Sequence, residues 1–468
     1  METKSSDNFL CVLEAAKKGD VNAQFTVGLM YYKGAGVEQN YINAFNYFKL
    51  ASEQGDSGAQ YNLGVMYYYG EGVKQDFTKA FYYCRLSAEQ GNEDALLSLA
   101  NMYEKGNSLQ QDYDKAIYYY QLASDRGNIN AQFHLGYIYY NGIGVEQNFA
   151  QAFKYYQLAA KQGHADALTN LGMMYSEGSG VKQNHKQALK YFHLAALKNS
   201  PEALFNLGAY YRYGYGGIEQ NDTEAIKYYK LAADQGNAIA QYNLGVIYEF
   251  GQIVPADYSK SVKYYKLAAK KGYSYAIYNL GLMLFNGKGI EQDYQRAAQC
   301  YRLAAKKGLA AAQYNMGLMY FKGTEIEQNY EEAVKYFQLA ADQGKIGAQA
   351  HLGYLYREGE GVKQDYIKSL KYYQLAADQG DSFSQNSLAN MYENGEGVKQ
   401  DFAKAAKYYQ LAAKQENADA QYNLACMFLN GTGVKQNKRI AKELFGKSCK
   451  NGNQEACEIY NQLKYTIN

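Results

Sequence analysis

A glycine-rich turn that runs into a helix-like stretch is the first feature of this sequence that could bind a substrate. Residues 69–80 read YGEGVKQDFTKA. Glycines before a helix can bind a phosphate group, because they let backbone N–H groups approach an anion at the helix N-terminus. Variants of the stretch recur, however, as GAGVEQNYINA at 34–44, GIGVEQNFAQA at 142–152 and GEGVKQDFAKA at 395–405. A site for chemistry is normally built once, so we interpret the stretch as a joint between two helices and not as a nucleotide site.

Two short motifs match parts of the serine β-lactamase signature, which combines Ser-x-x-Lys, Ser-Asp-Asn and Lys-Thr-Gly around one pocket. Ser179 and Lys182 have the spacing of the first motif, and residues 6–8 spell the second. Lys-Thr-Gly does not occur in the chain, and Ser179 and Lys182 lie in the recurring turn, where Gly-Val-Lys is the usual spelling. We therefore interpret both matches as chance and predict that the protein has no catalytic residues.

The histidines and cysteines form no pattern of metal ligands. The five histidines are His134, His164, His185, His193 and His351. Their spacing fits no zinc site, so we expect neither a metal nor a cofactor. Of the six cysteines, Cys449 and Cys457 alone lie close together in the sequence, with seven residues between them. They are either a disulfide or two reduced thiols, and the redox compartment decides between these states.

Composition and charge limit the class of partner. Lys and Arg total 48 and Asp and Glu total 46, which gives a net charge of +2. This balance gives no electrostatic reason to expect binding to nucleic acid. The chain lacks both the roughly 18 uninterrupted apolar residues of a membrane span and the apolar run of a secretory leader. We expect no integral membrane association and a cytoplasmic location, with export by a route that needs no N-terminal leader as the alternative.

The elements that must position these residues repeat every 36 residues. The middle residue of an NLG-like triplet, which we call the reference position, marks the period. It is Gly28, Gly64, Ala100, Gly136, Gly172, Gly208, Gly245, Gly281, Gly317, Gly353, Ala389 and Ala425. The one interval of 37 follows Gly208, where the turn GYGGIEQN holds an extra glycine. Such a period predicts an α/α solenoid of twelve repeats over residues 21–453, with capping helices at 1–20 and 454–468.

Each repeat is predicted to contain two helices. In the first, Ala59, Leu63, Met66 and Tyr67 have the spacing of one buried helix face. A glycine six residues after every reference position predicts a helix C-cap. The turn then ends at Asn or Asp in every repeat, which predicts the N-cap of the second helix. That helix carries a small residue followed by an aromatic pair, as in Tyr155 and Tyr156, and the rings are expected to fill the core.

The combined spacing AxxNLGxxYxxGxGVxQDxxKAxxYYxxAAxxG resembles the Sel1-like repeat, the 36-residue relative of the tetratricopeptide repeat. The match covers nearly the whole chain, although Tyr or Phe stands where the family often has Trp. The resemblance implies an all-α solenoid in which helix pairs stack into a right-handed superhelix. It also implies a non-enzymatic adaptor that brings proteins together.

The same resemblance implies alternatives. A cysteine-rich bacterial branch of the family has been described as penicillin-binding or β-lactam-hydrolysing, which makes an enzyme of that kind the first alternative. In that branch cysteine pairs with spacing similar to Cys449 and Cys457 form disulfides in most repeats, whereas here one pair occurs. A secreted host-interaction factor and a purely structural spacer are the remaining alternatives.

A row of polar residues along the first helices is the predicted binding surface. Two residues before each reference position stand Thr26, Asn62, Ser98, His134, Asn170, Asn206, Asn243, Asn279, Asn315, His351, Ser387 and Asn423, the polar stripe. In tetratricopeptide domains the matching asparagine lines the concave groove and holds the backbone of an extended peptide. By that resemblance the Asn and His members of the stripe are the candidate binding residues for a protein or extended peptide, with the run from 170 to 315 as the main floor. The alternative is that these side chains link adjacent repeats or are solvated.

Overall fold

The protein is described by a computed structural model that covers residues 2–106, 110–323 and 326–464. Over these ranges its regular structure is 26 α-helices and one short 3₁₀ segment, Tyr215–Gly217, with no strand. None of the described helices is both long and apolar enough to cross a membrane. Residue contacts divide the chain into two compact units, Met1–Gln235 and Gly236–Asn468, which we call the N-terminal and C-terminal units and describe separately.

The N-terminal unit begins with α1 (Glu2–Lys17). Its first helices are α2 (Val21–Lys33), α4 (Ser57–Tyr69), α6 (Glu93–Lys105), α8 (Ile129–Asn141), α10 (Ala165–Glu177) and α12 (Pro201–Tyr213). Its second helices are α3 (Tyr41–Glu53), α5 (Phe77–Glu89), α7 (Tyr113–Asp125), α9 (Phe149–Lys161), α11 (His185–Ala196) and α13 (Asp222–Asp234).

The C-terminal unit has the same alternation. Its first helices are α14 (Ala238–Phe250), α16 (Ser274–Asn286), α18 (Ala310–Lys322), α20 (Ile346–Glu358), α22 (Ser382–Asn394) and α24 (Ala418–Asn430). Its second helices are α15 (Tyr258–Lys270), α17 (Tyr294–Lys306), α19 (Tyr330–Asp342), α21 (Tyr366–Asp378), α23 (Phe402–Lys414) and α25 (Lys438–Lys450). The chain continues into α26 (Gln454–Lys464), which packs on α25. Within each unit the extensive contacts join helices that are neighbours in the sequence, as an α-solenoid requires.

The glycine-rich stretch at 69–80 is the joint between α4 and α5. Gly70 ends α4 in the left-handed conformation with φ of 74°, and the Asp76 carboxylate accepts the Lys79 N–H as the N-cap of α5. Gly72 lies so close to the preceding repeat that an added Cβ would be 2.5 Å from the Tyr41 carbonyl carbon. The Gln75 side chain donates to the Tyr68 carbonyl at 2.7 Å. The stretch therefore ends one helix, starts the next and contacts the previous repeat.

In eight repeats an aromatic ring of the second helix covers the reference glycine, whereas Cys84 takes that place at Gly64. A Cβ added at Gly136 would lie 2.5 Å from Cδ1 of Tyr156, and Tyr156 is almost completely buried. The preceding tyrosine of the pair, Tyr155, stacks on Tyr139 of α8 with centroids 5.8 Å apart. The predicted aromatic pair thus has one ring over the glycine and one stacked against the first helix.

Glutamines join consecutive repeats. Gln162, just after α9, donates through Nε2 to the Gly127 carbonyl and to Gln132 Oε1, both at 2.9 Å. Gln132 in turn donates to the Ser124 carbonyl of the preceding repeat at 3.4 Å. The glutamine pair lies within one repeat and recurs as Gln379 with Gln349 at 2.8 Å. Gln349 again donates to a carbonyl of the preceding repeat, that of Ala341, at 3.4 Å. These bonds fix the register of one repeat on the next, because each satisfies a polar group at the interface.

Candidate binding face

The polar stripe lies on the first helices, and most of its side chains are partly exposed to solvent. Ten of its twelve members are half-buried, whereas Thr26 is exposed and Ser387 is buried. Asn206 and Asn243 are half-buried and make no side-chain hydrogen bond to any described residue. Their amide groups can therefore both donate to and accept from a bound molecule.

Other stripe residues bond within their own helix. Asn62 Nδ2 donates to the Gly58 carbonyl at 2.7 Å. His351 Nδ1 lies 2.7 Å from the Gly347 carbonyl, and its ring stacks on Phe337. The side chains of these residues bond to their own helix four residues back, which leaves part of each polar group for other contacts.

Three stripe residues of the C-terminal unit link adjacent repeats, as the alternative interpretation predicted. Asn279 Nδ2 donates to Tyr265 Oη at 3.0 Å, and Asn315 Nδ2 donates to Tyr278 Oη at 3.3 Å. Asn423 makes a longer contact of 3.4 Å with Asn386. Asn279 and Asn315 belong to the run that was expected to bind a peptide rather than to link repeats. These two asparagines link repeats because a tyrosine hydroxyl of the preceding repeat lies within hydrogen-bond distance of each side-chain amide.

Clefts open beside the stripe between consecutive first helices. One cleft, of about 410 Å³, lies between α4 and α6 and is lined by Ser98 and His134 of the stripe. A cleft of about 120 Å³ between α8 and α10 is lined by Asn170. In the C-terminal unit a cleft of about 260 Å³ between α16 and α18 is lined by Asn315. The stripe therefore borders recesses that could admit side chains of a ligand.

The cleft between α4 and α6 holds a carboxylate that the sequence analysis did not single out. Tyr120 Oη lies 2.5 Å from Glu104 Oε2 and 2.7 Å from Asn101 Oδ1. A hydroxyl has one hydrogen, which Tyr120 donates to Glu104. The side-chain amide of Asn101, with its nitrogen and oxygen positions exchanged, then donates to the Tyr120 hydroxyl oxygen. Burial and the bond to Glu104 raise the pKa of Tyr120 far above its usual range. The hydroxyl therefore stays protonated and holds the carboxylate in place.

The same arrangement, with asparagine and glutamate on one first helix and the tyrosine on the following second helix, also occurs in the C-terminal unit. Tyr409 Oη bonds to Asn390 Oδ1 and, at 2.6 Å, to Glu393 Oε2. Both sets follow an alanine at the reference position, within the sequences LANMYE at 99–104 and 388–393. That repeated hexapeptide was the available signal, but its link to a tyrosine 16 residues later needed the structure.

The five histidines are half-buried. Burial lowers the pKa of His134 and of His351, so both imidazoles are neutral at neutral pH. The His134 ring stacks on Tyr120 with centroids 5.3 Å apart. Within the described ranges, no three His, Cys, Asp or Glu side chains come close enough to hold a metal ion.

The β-lactamase-like motifs are not brought into a shared pocket. Ser179 lies in the turn between α10 and α11, and its Oγ donates to Glu177 Oε2 at 3.2 Å. Lys182 is exposed in the same turn. The side chains of residues 6–8 lie outside the described part of the structure.

The two neighbouring cysteines meet at the C-terminal end. Cys449 is near the end of α25 and Cys457 lies in α26, and the structure joins their sulfur atoms. The bond ties α26 to α25 beside the buried Phe445 and Ala456. The other four cysteines are free.

Comparison with known families finds the same period. The Sel1 repeat model matches residues 21–56, 57–92, 93–128, 129–164, 165–200, 201–237, 238–273, 274–309, 310–345, 346–381, 382–417 and 418–453. These matches have the boundaries of the helix pairs, and the 37-residue match contains the extra glycine, Gly217.

Solved structures with related folds include two bacterial proteins. One is a protective antigen present in uropathogenic Escherichia coli strains, described as displaying an SLR fold. It is 29% identical over 98% of this chain and 97% of that chain, with a TM-score of 0.62. A Sel1 repeat protein from Oxalobacter formigenes is 32% identical over 54% of this chain and 100% of that chain, with a TM-score of 0.48. A comparison with curated protein sequences gave no match.

The family model accounts for the chain from residue 21 to residue 453. Each match contains the first helix, the glycine-rich joint and the second helix described above. The expectation drawn from the residue spacing is therefore confirmed: the chain belongs to the Sel1 repeat family.

Proposed function

We propose that this protein is a non-enzymatic scaffold that binds a protein or an extended peptide along the polar stripe of its first helices. The observation that carries the proposal is that stripe residues border clefts in both units, at Ser98, His134, Asn170 and Asn315. A peptide backbone needs donors and acceptors at regular intervals, and clefts between them take its side chains.

Asn206 and Asn243 are the best-placed members for this role. Each amide is half-buried and makes no side-chain hydrogen bond to a described residue. A ligand that bonds to such an amide satisfies a group that is already partly removed from water. Asn279 contributes through its carbonyl oxygen, because its nitrogen donates to Tyr265.

The test replaces Asn206, Asn243 and Asn279 together with alanine. Peptides selected from a random displayed library by the wild-type protein provide the ligands. We expect the triple variant to bind them more weakly, by about 0.5–1.5 kcal/mol for each lost hydrogen bond. Helicity should be nearly unchanged, and the melting temperature should fall slightly because Asn279 also bonds to Tyr265.

Ser259→Ala combined with Gln299→Ala is the matched control, since both residues are exposed on second helices. This control should bind as the wild type does. Normal binding by a folded triple variant, or failure of the library to yield any ligand, would contradict the proposal. An unfolded triple variant would show that the stripe serves the fold.

An enzyme of the β-lactam-hydrolysing kind is the alternative, and it is less well supported because Ser179 and Lys182 lie in a turn without a third motif. Purified protein should not turn over nitrocefin, and Ser179→Ala should behave identically. Turnover that Ser179→Ala abolishes would replace the scaffold proposal.

A secreted host-interaction factor is the second candidate. It is favoured by the likeness to the protective antigen of uropathogenic Escherichia coli over nearly the whole chain. Both roles use protein binding, and the small net charge gives no support to a nucleic-acid partner. The cytoplasm and an exterior compartment are separated by the oxidation state of Cys449 and Cys457.

A further inference from the structure

The set formed by an asparagine, a glutamate and a tyrosine hydroxyl occurs in both units, which allows the two places to be compared. We call Asn101, Glu104 and Tyr120 the N-terminal triad. Asn390, Glu393 and Tyr409 form the C-terminal triad. In each, the glutamate is half-buried and one of its oxygens accepts from the tyrosine hydroxyl. The second carboxylate oxygen is available to another donor.

In the C-terminal unit the chain supplies a cation beside the triad. Arg357 lies on α20, the first helix of the preceding repeat, and forms a two-point ion pair with Glu396 at 2.8 and 3.2 Å. Burial and the bond to Glu393 raise the pKa of Tyr409, and the positive charge of Arg357 opposes that rise. Through its bonds to Glu396, which follows the end of α22, the guanidinium lies near the helix that carries Asn390 and Glu393.

In the N-terminal unit the residue that corresponds to Arg357 is Tyr68. Each of the two residues lies four positions after the reference glycine of its repeat, Gly353 and Gly64 respectively. Here a cleft of about 410 Å³ is lined by Asn101 and Glu104 and by the tyrosines Tyr61, Tyr68 and Tyr69. Among the described residues, Glu104 has no ion-pair partner. Aromatic faces and an unpaired carboxylate together favour a cation.

We propose that the cleft between α4 and α6 binds the guanidinium group of an arginine side chain in the bound protein or peptide, with Glu104 as its counterion. The planar guanidinium can stack on a tyrosine ring while it donates to a carboxylate, which an ammonium does less well. The proposal rests on the proposed function, because the arginine belongs to the ligand that lies on the polar stripe.

Two other charged or titratable groups line the cleft. Lys105 is exposed, and it follows Glu104 directly, so the two side chains leave the helix on different faces. His134 is neutral at neutral pH because burial lowers its pKa. Neither group therefore cancels the negative charge that Glu104 presents to the cleft.

The experiment uses the full-length protein and peptides selected from a random displayed library. We expect the selected peptides to share an arginine. Exchange of that arginine for citrulline, which has a similar shape without the charge, should weaken binding at least about tenfold. Glu104→Gln should cause a similar loss for the arginine peptide and little further loss for the citrulline peptide, because both changes remove one interaction.

Glu393→Gln is the matched control. It removes the same charge from the acceptor of a tyrosine hydroxyl, so it should affect melting temperature as Glu104→Gln does, while peptide affinity stays at the wild-type level. Selected peptides that lack a shared arginine, or an arginine peptide that Glu104→Gln binds normally, would overturn the inference and leave the scaffold proposal standing. A library that yields no ligand would overturn both.

Discussion

Glycine at the reference position has a hydrogen atom in place of a side chain, and this lets the two helices of a repeat approach closely. At Gly136 the ring of Tyr156 occupies the space where a Cβ would lie, at 2.5 Å from Cδ1. Alanine would gain about 1 kcal/mol of helix propensity over glycine. Overpacking a buried site costs about 1–3 kcal/mol, however, and the ring is held between helices. The cost of overpacking against Tyr156 should therefore exceed the gain in helix propensity from alanine.

We predict that Gly136→Ala lowers the free energy of unfolding by about 1–3 kcal/mol, measured by denaturant titration. The control is the same change in a Tyr156→Leu background, where the ring is absent. There the cost should be smaller, since the two residues interact directly. Equal costs in both backgrounds would show that the ring is not the cause.

At this scale the sequence predicted backbone roles better than side-chain partners. Asn148 could be identified as an N-cap because Asn or Asp recurs at that place, and its side chain accepts the Gln151 N–H at 3.0 Å. The bond between Tyr120 and Glu104 could not be predicted, because it depends on how far a hydroxyl on one helix reaches towards another. Periodicity places a residue on a helix face but does not give that distance.

Helices at the two ends of the chain have only one neighbour each. In the structure α26 packs on α25, and Ala456 is completely buried beside Phe445. A solenoid needs a terminal element that covers the last apolar face. We predict that deletion of residues 454–468 lowers the melting temperature and increases the binding of a dye that reports exposed apolar surface. An unchanged melting curve with no added dye fluorescence would argue against a capping role.

The cysteine pair gives a separate test of the same end. Cys449 and Cys457 are joined in the structure, and the remaining four cysteines are free. We predict that freshly isolated native protein, denatured without reductant, shows two fewer reactive thiols than after reduction. Six reactive thiols before reduction would mean that the pair is reduced in the cell and would favour a reducing compartment.

The sequence predicted the helices and joints of each repeat more completely than the contacts between repeats. The repeat boundaries and the joints were predicted from the period and from the glycines. The role of Gln162 was not, although glutamine recurs at that place, because a polar residue at a helix end is ordinarily solvated. Its bond to the Gly127 carbonyl at 2.9 Å became evident only when the preceding repeat was in place.

For the whole molecule, the buried tyrosines predict how stability depends on pH. Seven second helices place a tyrosine almost completely out of water: Tyr120, Tyr156, Tyr229, Tyr265, Tyr301, Tyr373 and Tyr409. Burial raises the pKa of Tyr229 and of Tyr373 to about 12. In the unfolded chain these hydroxyls ionise near pH 10. The folded state therefore keeps protons that the unfolded state loses, and its stability must fall as pH rises from about 10 to 12.

We expect the melting temperature to be insensitive to tyrosine ionisation below about pH 9 and to fall steeply above about pH 10. Tyr373→Phe should reduce the fall, since one such group is removed. Circular dichroism and the absorbance of tyrosinate, followed together, provide the check. Tyrosinate from the buried set that forms while helicity is intact would contradict the prediction.

The glutamine bonds between repeats also bear on how such a chain changes during evolution. A glutamine near the start of a first helix donates to a carbonyl eight residues earlier, in the preceding repeat, at Gln132, Gln313, Gln349, Gln385 and Gln421. Repeats that share this bond present nearly interchangeable ends to one another. Unequal recombination between two of them would add or remove a whole repeat and would still join each end to a partner of the same kind. The number of repeats is therefore the property that can change in such a gene with the least damage to the folded protein.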